Sequence, residues 1–408
     1  MAKKTTLMKV PDTLTRVWEQ AYGLIVPEHP FITWQSEKKT HVASWKETNA
    51  MAHCMAGFLL SKDVKKGEAF GVFSSNNPAV IYLELGAHLI GAIPVMIPGE
   101  VNSSQLSEIA QETGLKVLVV SDADRYHKAI AGLGSNLSVQ HIITLFDDDQ
   151  VLVPGRTAIF DWVVDPGKVY WREHLVEINT LKASVQPDDV CCITYTFIND
   201  HLNSKIDTHE IFIQELQQCL NSFQEIQQNG SFLICQPYAN RLNRLLGLYL
   251  PLILLKQILI PHSRATIEQA IRYLEPKWAL LSSTQLNGLA ERLMGKVTLK
   301  NWYKRYVYQR AIKVGEKYFK ALDNQMKPNL WLKYRYSKSK QRLRKGFLKM
   351  LHPEIQGVIL NDKGLSEMTI TLFLHMEMPI YDALGNRITR ENRFQLIGKN
   401  PASDSFVG

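Results

Sequence analysis

The residues best suited to chemistry lie at the end of a predicted buried strand, residues 191–196, and in the segment 197–205 that follows it. The strand ends in Tyr195 and Thr196. A phosphate-binding loop after such a strand needs glycines that expose backbone N–H groups, together with hydroxyls and a lysine. The segment 197–205 has no glycine, and its single lysine is Lys205. Asp200 adds a negative charge where a phosphate would lie. The segment is therefore predicted to be an apolar, acid-bearing turn that does not bind phosphate.

A metal site is the other chemistry that this part of the chain suggests. The residues that could imitate one are Asp200, His201, Asp207 and His209. Their spacing falls in a predicted loop, so we predict no metal site. The five cysteines show no paired spacing and are predicted to be reduced, buried thiols of a cytoplasmic protein.

Positive charge is concentrated in one part of this 408-residue chain of net charge +8. Residues 296–349 hold seventeen Lys and Arg against Glu316 and Asp323. Such a segment suits an acidic partner or an anionic membrane, and it equally suits a solvated helical face. No stretch resembles a nucleic-acid-binding module, so no nucleic acid is expected. The strongest apolar run, 245–255, is too short to span a bilayer. A cytoplasmic protein, peripheral to a membrane at most, is the expectation.

The elements that position these residues alternate between strands and helices, which favours a mostly parallel, doubly wound α/β fold. Pro and Gly punctuate residues 151–187 and indicate a linker between two subdomains. We therefore predict a first α/β subdomain at 10–185 and a second at 186–408. The second contains a basic helical insertion at about 296–351.

The order of these elements, together with several short motifs, resembles the N-terminal domain of the adenylate-forming superfamily. The motifs are Thr33-Trp34, Ser44-Trp45-Lys46-Glu47, residues 66–72, Ser75-Asn76-Asn77-Pro78 and residues 91–95. The basic insertion looks like that of the long-chain fatty acyl-CoA synthetase branch. The resemblance implies two stacked, doubly wound subdomains, without the small C-terminal domain that carries the family's catalytic lysine.

The resemblance also implies a nucleotide site, and its phosphate-side motifs are altered in this chain. The family's phosphate loop reads Tyr-Thr-Ser-Gly-Thr-Thr-Gly, of which only Tyr195 and Thr196 match. His209 matches the histidine that follows the loop. The second motif of the branch, Leu-Pro-Leu-Ala-His-x-x-Glu-Arg, aligns with residues 236–244. Asn240 stands where this motif has histidine, whereas Arg244 is retained.

The adenine-side motifs are altered as well. The family's Ser-Gly-Gly-Ala-Pro-Leu turn aligns with residues 360–365, where only the leucine survives. The family's Tyr-Gly-x-Thr-Glu signature aligns with residues 384–388. The tyrosine of that signature, which stacks on adenine, aligns with Leu384, and its magnesium-binding glutamate aligns with Ile388. Gly385 alone remains of that signature. A carboxylate oxygen is what magnesium requires, and isoleucine supplies none.

These losses predict a catalytically inactive, acyl-CoA-synthetase-like pseudoenzyme that acts as a binding or interaction module. No catalytic or metal-binding residue is assigned, and no cofactor is expected. The degenerate nucleotide site comprises Tyr195, Thr196, Lys205, His209, Asn240, Arg244 and Gly385. The alternatives are a fatty-acid or acyl-CoA binding protein, and a residual long-chain fatty acid-CoA ligase that uses ATP and Mg²⁺ and needs a second chain.

An unidentified protein partner is expected, and an acyl chain or an anionic membrane surface are further candidate partners. The predicted interaction face comprises Lys333, Arg335, Lys338, Lys340, Arg342, Arg344, Lys345 and Lys349.

Overall fold

The computed structural model describes residues 10–37, 39–134, 139–146, 157–223, 226, 230–299, 302–389 and 391–392. The chain divides into two compact units. One unit comprises the described residues up to Asn221 together with Pro237–Ser263. The other comprises the described residues of Ser222–Gln236 and those from Arg264 onward. This division differs from the sequence-based boundary at 185/186, because the strand that follows residue 186 pairs inside the sheet of the first unit.

The strands are β1 Pro30–Gln35, β2 Thr40–Ser44, β3 Ala69–Phe73, β4 Ile93–Met96, β5 Val117–Val120, β6 His141–Thr144, β7 Thr157–Ile159, β8 Val190–Ile198, β9 His201–Thr208, β10 Ser231–Ile234, β11 Gln257–Ile260, β12 Trp278–Leu281, β13 Gly357–Leu360 and β14 Ile380–Tyr381.

The helices are α1 Leu14–Leu24, α2 Trp45–Ser61, α3 Pro78–Ile90, α4 Ser103–Thr113, α5 Ala123–Leu133, α6 Phe160–Glu173, α7 Leu175–Ser184, α8 His209–Ser222, α9 Arg241–Arg244, α10 Leu250–Ile253, α11 Ile267–Leu274, α12 Ser283–Thr298, α13 Trp302–Asp323, α14 Leu330–Met350 and α15 Glu367–His375. A π-helical turn, Leu245–Tyr249, joins α9 to α10.

The first unit is built on a sheet with the strand order β7-β6-β5-β3-β4-β8-β9. Every neighbouring pair in it is parallel except β8 and β9, which are antiparallel. The apolar residues of β3, β4 and β5 pack with α4 and α5 in a fully buried core. In the same unit β1 pairs parallel with β11 and antiparallel with β2. The predicted parallel α/β architecture is confirmed.

Local sequence signals set the helix ends of the first unit. Ser44 and Glu47 form a reciprocal capping box at the start of α2, with the Ser44 N–H donating to Glu47 Oε2 at 2.7 Å. Asn77 caps α3, and Pro78 occupies its first position, where a missing N–H costs nothing. Gly91 ends α3 with φ 69°, a left-handed conformation that glycine adopts without strain.

The prediction of a linker at 151–187 is wrong for the described part of that range, while residues 151–156 lie outside the described residues. Residues 157–184 form β7, α6 and α7. The Pro-Gly pair taken as punctuation lies inside α6. Gly167 lets α6 approach α2 closely, since a Cβ there would lie 2.2 Å from the Cys54 carbonyl oxygen. Glycine at this position therefore serves helix packing and does not interrupt the helix.

The second unit contains four strands in the order β14-β13-β12-β10, and the neighbours in this set are parallel. The predicted basic insertion forms two long helices, α13 and α14. They pack antiparallel, as the stack of Tyr318 on Tyr336 and the contact of Tyr308 with Phe347 show. Within the described parts of the chain, no helix is long and apolar enough to cross a membrane.

Candidate functional site

The segment predicted as a turn-like loop after Thr196 is a β-hairpin. Strand β8 continues to Ile198, and Ile198 pairs directly with His201 across a two-residue turn. The turn residues Asn199 and Asp200 have φ angles of 49° and 61°. Both angles lie in the left-handed region that a type I′ turn requires, and Asn and Asp tolerate it better than other non-glycine residues. The turn is therefore confined to Asn199 and Asp200. The prediction of a loop that holds His201 and Asp207 is wrong, because both residues lie in β9, His201–Thr208.

The hairpin changes what the backbone can offer a phosphate. In an antiparallel pair, alternate residues exchange N–H···O=C hydrogen bonds with the partner strand. Those amides of 196–203 are thus committed to the strand pair and are not arranged in a cradle. Lys205 pairs with Thr194, so it lies five residues beyond the turn, roughly 17 Å along the strand. The lysine is therefore not at the mouth of a loop.

Tyr195 and Thr196, the two residues that match the family's phosphate loop, both have partners within the protein. Tyr195 is buried, and its hydroxyl donates a 2.7 Å hydrogen bond to Glu112 on α4. Burial, followed by the bond to Glu112, raises the pKa of Tyr195. Thr196 is half-buried and lies opposite Asn203 on β9. Both residues serve the hairpin and its packing.

His209 is a buried structural residue at the start of α8. Its Nδ1 accepts a 3.1 Å hydrogen bond from the Leu14 N–H at the start of α1. Its ring lies edge-on to His88 at 5.5 Å between centroids. Burial first, and then the neighbouring His88, lower the pKa of His209 to about 3. The imidazole is therefore neutral at pH 7 and offers no positive charge to a phosphate.

Arg244 is completely buried, with 0% of its surface exposed. Its Nη2 donates to Cys192 Sγ at 2.9 Å and to Thr194 Oγ1 at 3.1 Å, both on β8. Its Nε lies 3.2 Å from Glu84 Oε1 on α3. Asn240 is exposed and caps the short helix α9 that carries Arg244, its Oδ1 accepting from the Asn243 N–H. The retained arginine of the second motif therefore cross-links β8 and α3.

Glu84 is the buried anion that holds Arg244, and sequence reasoning missed it. The Tyr249 hydroxyl in the π-helical turn donates to Glu84 Oε1 at 2.6 Å, and His88 Nε2 lies 2.8 Å from the same hydroxyl. Burial alone raises the pKa of Glu84, but the ion pair with Arg244 and the hydrogen bonds outweigh it, and the net pKa is lowered. The available signal was a lone glutamate in an otherwise apolar helix, because a buried carboxylate needs a cationic partner.

A second ion pair ties the hairpin to neighbouring helices. Arg241 Nε donates to Asp207 Oδ2 on β9 at 2.5 Å, and Arg241 Nη1 pairs with Glu215 on α8. Asp207 is fully buried. The two arginines next to the hairpin, Arg241 and Arg244, are thus both neutralised by carboxylates of the first unit.

Gly385 lies in the second unit, in a tight turn after β14. The carboxylate of Asp382 accepts from the N–H groups of Leu384 and Asn386 at 3.0 and 2.8 Å. Gly385 has φ 82°, and a Cβ there would lie 2.4 Å from Ser222 Cβ. Ile388 is buried, with 2% of its surface exposed, and Leu384 is exposed. Gly385 therefore serves the turn, and Ile388, which the resemblance aligns with a magnesium-binding glutamate, belongs to the apolar core.

In the segment 360–365, the carboxylate of Asp362 binds the start of helix α12. Asp362 Oδ1 accepts a 2.5 Å hydrogen bond from the Ser283 N–H at the start of α12. The Ser283 hydroxyl in turn donates to the Lys363 carbonyl at 3.0 Å. An anion is favoured at a helix N-terminus, and here a side chain of the same unit occupies that position.

The positions that the resemblance assigns to phosphate binding hold groups with other partners. Residues 196–203 form a hairpin, Arg244 pairs with Glu84, and His209 is buried and neutral. Ile388 offers no oxygen ligand. Among the described residues, no group of three or more His, Cys, Asp and Glu side chains is arranged to hold a metal ion. The described cysteines are all free.

The eight basic residues of the predicted interaction face all lie on α14. Lys340 Nζ forms an ion pair with Glu377 at 2.6 Å, and Arg344 donates to the Glu377 carbonyl at 3.2 Å. Lys333, Lys338, Arg342, Arg344, Lys345 and Lys349 are exposed, whereas Arg335 and Lys340 are half-buried. All eight residues thus lie on one helix, and two of them, Lys340 and Arg344, interact with Glu377.

Comparison with known proteins agrees with this architecture. Residues 24–196 match the family described as AMP-binding enzyme. An acetyl-coenzyme A synthetase from Pseudoalteromonas translucida is 25% identical over 162 residues, which is 38% of this chain and 23% of that protein. Most of the chain therefore lies outside this sequence match.

Solved ligase structures share the fold. A long-chain-fatty-acid-CoA ligase from Archaeoglobus fulgidus superposes with a TM-score of 0.64 at 14% identity, over 92% of this chain and 64% of the other. Coronafacic acid ligase from Pectobacterium brasiliense gives a TM-score of 0.62 at 10% identity, over 91% of this chain and 60% of the other. The chain thus spans less than two thirds of the length of these ligases.

The chain therefore shares the fold of solved acyl-CoA ligases, and its residues 24–196 match the family described as AMP-binding enzyme.

Proposed function

We propose that this chain is a catalytically inactive member of the adenylate-forming superfamily that acts as a binding module. The observation that carries the proposal is the β8–β9 hairpin at the position of the phosphate loop. A working loop offers free amides, hydroxyls and a lysine to the triphosphate. In the hairpin the backbone is extended, and alternate amides are committed to strand pairing.

Charge-assisted hydrogen bonds to the triphosphate supply much of the free energy of an ATP complex. Each hydrogen bond to a charged group contributes about 1.5–3 kcal/mol, so four of them amount to about 6–12 kcal/mol. A micromolar complex has a binding free energy of only about −8 kcal/mol. Replacement of the phosphate loop and of the magnesium ligand therefore abolishes nucleotide binding in the ordinary range.

The residues at the altered nucleotide site have structural roles, which supports the proposal of inactivity. Arg244 cross-links β8 and α3, His209 joins α8 to α1, and Ile388 is core. Each of these side chains would have to leave a buried contact in order to touch a nucleotide. The module's partner is then recognised elsewhere on the surface.

Two assays on the intact chain test the proposal, with a catalytically competent acyl-CoA ligase as the positive control. The first is isothermal titration with ATP–Mg²⁺, and the second is pyrophosphate exchange with fatty acids of several chain lengths. We expect neither heat nor exchange, while the control ligase gives both. Saturable ATP–Mg²⁺ binding, or exchange above background, would overturn the proposal.

A thermal-shift series with fatty acids and acyl-CoAs separates the binding functions. A shift with acyl ligands but not with ATP–Mg²⁺ identifies an acyl-binding module. No shift of the melting temperature with any of these ligands favours a module that binds a macromolecular partner.

A further inference from the structure

Helix α14 has two chemically different faces. At 100° per residue, Tyr336, Ser339, Leu343 and Phe347 fall on one side, and the last three of these are buried. The opposite side carries Trp331, Tyr334, Lys338, Arg342, Lys345 and Lys349. All six of these residues are exposed. We call this set the outward stripe of α14.

The outward stripe begins with two large aromatic residues and continues with four basic ones, without an acidic residue. The whole helix, Leu330–Met350, contains no Asp or Glu. Trp331 is 64% exposed and Tyr334 is 56% exposed. The Arg335 guanidinium lies 4.3 Å from the Trp331 ring centroid, and the Lys338 ammonium lies 4.6 Å from that of Tyr334. Aromatic rings therefore lie directly beside cations at the start of the stripe.

The end of the helical hairpin adds exposed apolar surface to the same region. Leu330, the first residue of α14, is 85% exposed, and Met326 in the connection from α13 is 55% exposed. Exposed large apolar side chains that cluster indicate an interaction surface. Met326 lies in the connection between α13 and α14, and Leu330 begins α14 next to Trp331, so both add apolar surface at the aromatic start of the stripe.

The stripe is presented by a firmly packed support. His375 on α15 lies between Gly315 of α13 and Ser339 of α14, with its Nε2 2.9 Å from the Ser339 hydroxyl. A Cβ at Gly315 would lie 2.1 Å from His375 Nδ1, so only glycine allows this packing. Lys340 and Arg344 hold the same helix to Glu377. These contacts fix which face of α14 is turned outward.

We propose that the outward stripe of α14 docks on the surface of an anionic lipid bilayer. Lys338, Arg342, Lys345 and Lys349 would lie against the lipid headgroups, and Trp331, Tyr334 and Leu330 would enter the interfacial region. Tryptophan and tyrosine are enriched at that depth because each has an apolar body and a polar tip. Charge complementarity selects an anionic bilayer. The proposal stands independently of whether the chain binds ATP.

Vesicle flotation with the intact chain tests the electrostatic half of the proposal. The vesicles are phosphatidylcholine alone, and phosphatidylcholine mixed with phosphatidylserine. We expect binding only to the mixed vesicles, and weaker binding as salt rises from about 50 mM to about 500 mM, because screening shortens the range of the charges.

A quadruple variant locates the binding face. Replacing all four lysines and arginines of the stripe with glutamine (Lys338→Gln, Arg342→Gln, Lys345→Gln, Lys349→Gln) is expected to weaken binding by about 100-fold or more, since each basic residue near the surface contributes about five-fold. A matched control neutralises four exposed basic residues elsewhere: Lys39, Arg172, Arg292 and Lys313. The control has the same net charge and is expected to bind within about three-fold of the wild type. Circular dichroism and the melting temperature confirm that both variants are folded.

Quenching by brominated lipids tests insertion of the aromatic end. Tryptophan fluorescence of the bound wild type should be quenched by lipids brominated near the headgroup, and Trp331→Phe should lose that quenching while it still binds. Equal loss of binding in the stripe variant and its control would overturn the proposal, as would quenching that persists without Trp331. Absence of vesicle binding at every salt concentration would also overturn it and would assign the stripe to an acidic protein instead.

Discussion

Replacement of Arg244 by methionine distinguishes a structural arginine from a nucleotide ligand. The buried guanidinium interacts with Glu84, Thr194 and Cys192. Methionine keeps the apolar length of the side chain but leaves the Glu84 carboxylate buried without its cation. Removing one partner of a buried ion pair costs about 3–5 kcal/mol.

The expected change is large enough to measure by calorimetry or circular dichroism. A loss of 3–5 kcal/mol in a unit of this size lowers the melting temperature by roughly 6–20 °C. The double variant Glu84→Gln/Arg244→Met should lose less than the single variant, since the uncompensated charge is gone. Arg292→Met, at an exposed position, serves as the matched control and should leave the melting temperature within about 2 °C.

The pH dependence of the same variant provides a second check. In the wild type the lowered pKa of Glu84 contributes stability above its unfolded pKa, and that stability is lost as the pH falls through the folded value. In Arg244→Met the Glu84 carboxylate no longer has its cation, and it can lose its buried negative charge by taking up a proton. The stability deficit of the variant should therefore shrink on acidification. A melting temperature unchanged at pH 7 would refute the structural role of Arg244 and would return it to the candidate ligands.

Three further predictions follow from the same contacts. Because the pKa of His209 is lowered to about 3, its unfolded form binds a proton first as the pH falls below about 6.5; this residue alone should remove up to about 1.4 kcal/mol of stability per pH unit in that window, so His209→Gln should show a shallower pH profile in urea unfolding. At the hairpin turn, Asp200→Gly should unfold at the same or a slightly higher temperature, whereas Asp200→Val should lose about 1–2 kcal/mol; equal behaviour of the two would contradict the left-handed turn. Ile388→Glu restores the family's carboxylate but buries a charge. The variant should therefore lose at least about 2 kcal/mol of folding stability and show no Mg²⁺-dependent ATP binding in titration; ATP binding by this variant would show that only the magnesium-binding side chain was missing.

Features determined by neighbouring residues were predictable from the sequence. The capping box at Ser44, the Asn77-Pro78 helix start and the buried parallel strands each depend on signals within a few residues, and all of them are confirmed. The residue types at 197–205 predict a segment that does not bind phosphate, and this stays a prediction. The structure shows that the segment is a β-hairpin.

Features that depend on tertiary contacts were not predictable in the same way. Strand β9 is an edge strand in which half of the residues are exposed and the alternation is weak, so its pairing with β8 was missed although Asn199-Asp200 is a typical turn pair. The role of Gly167 depends on α2, which lies more than a hundred positions earlier in the chain. The interaction face was predicted as one set of eight basic residues. Helical periodicity places four of them on the outward stripe, Lys340 and Arg344 interact with Glu377, and Lys333 and Arg335 lie outside both groups.

The claim that a hairpin replaces the phosphate loop is tested most directly by amide hydrogen exchange over residues 190–208. Strand pairing predicts slow exchange at alternate amides of both strands without any nucleotide, and no change when millimolar ATP–Mg²⁺ is added. Fast exchange across 197–205 that slows only when ATP–Mg²⁺ is present would contradict the claim, because it would reveal a mobile loop that closes on the nucleotide.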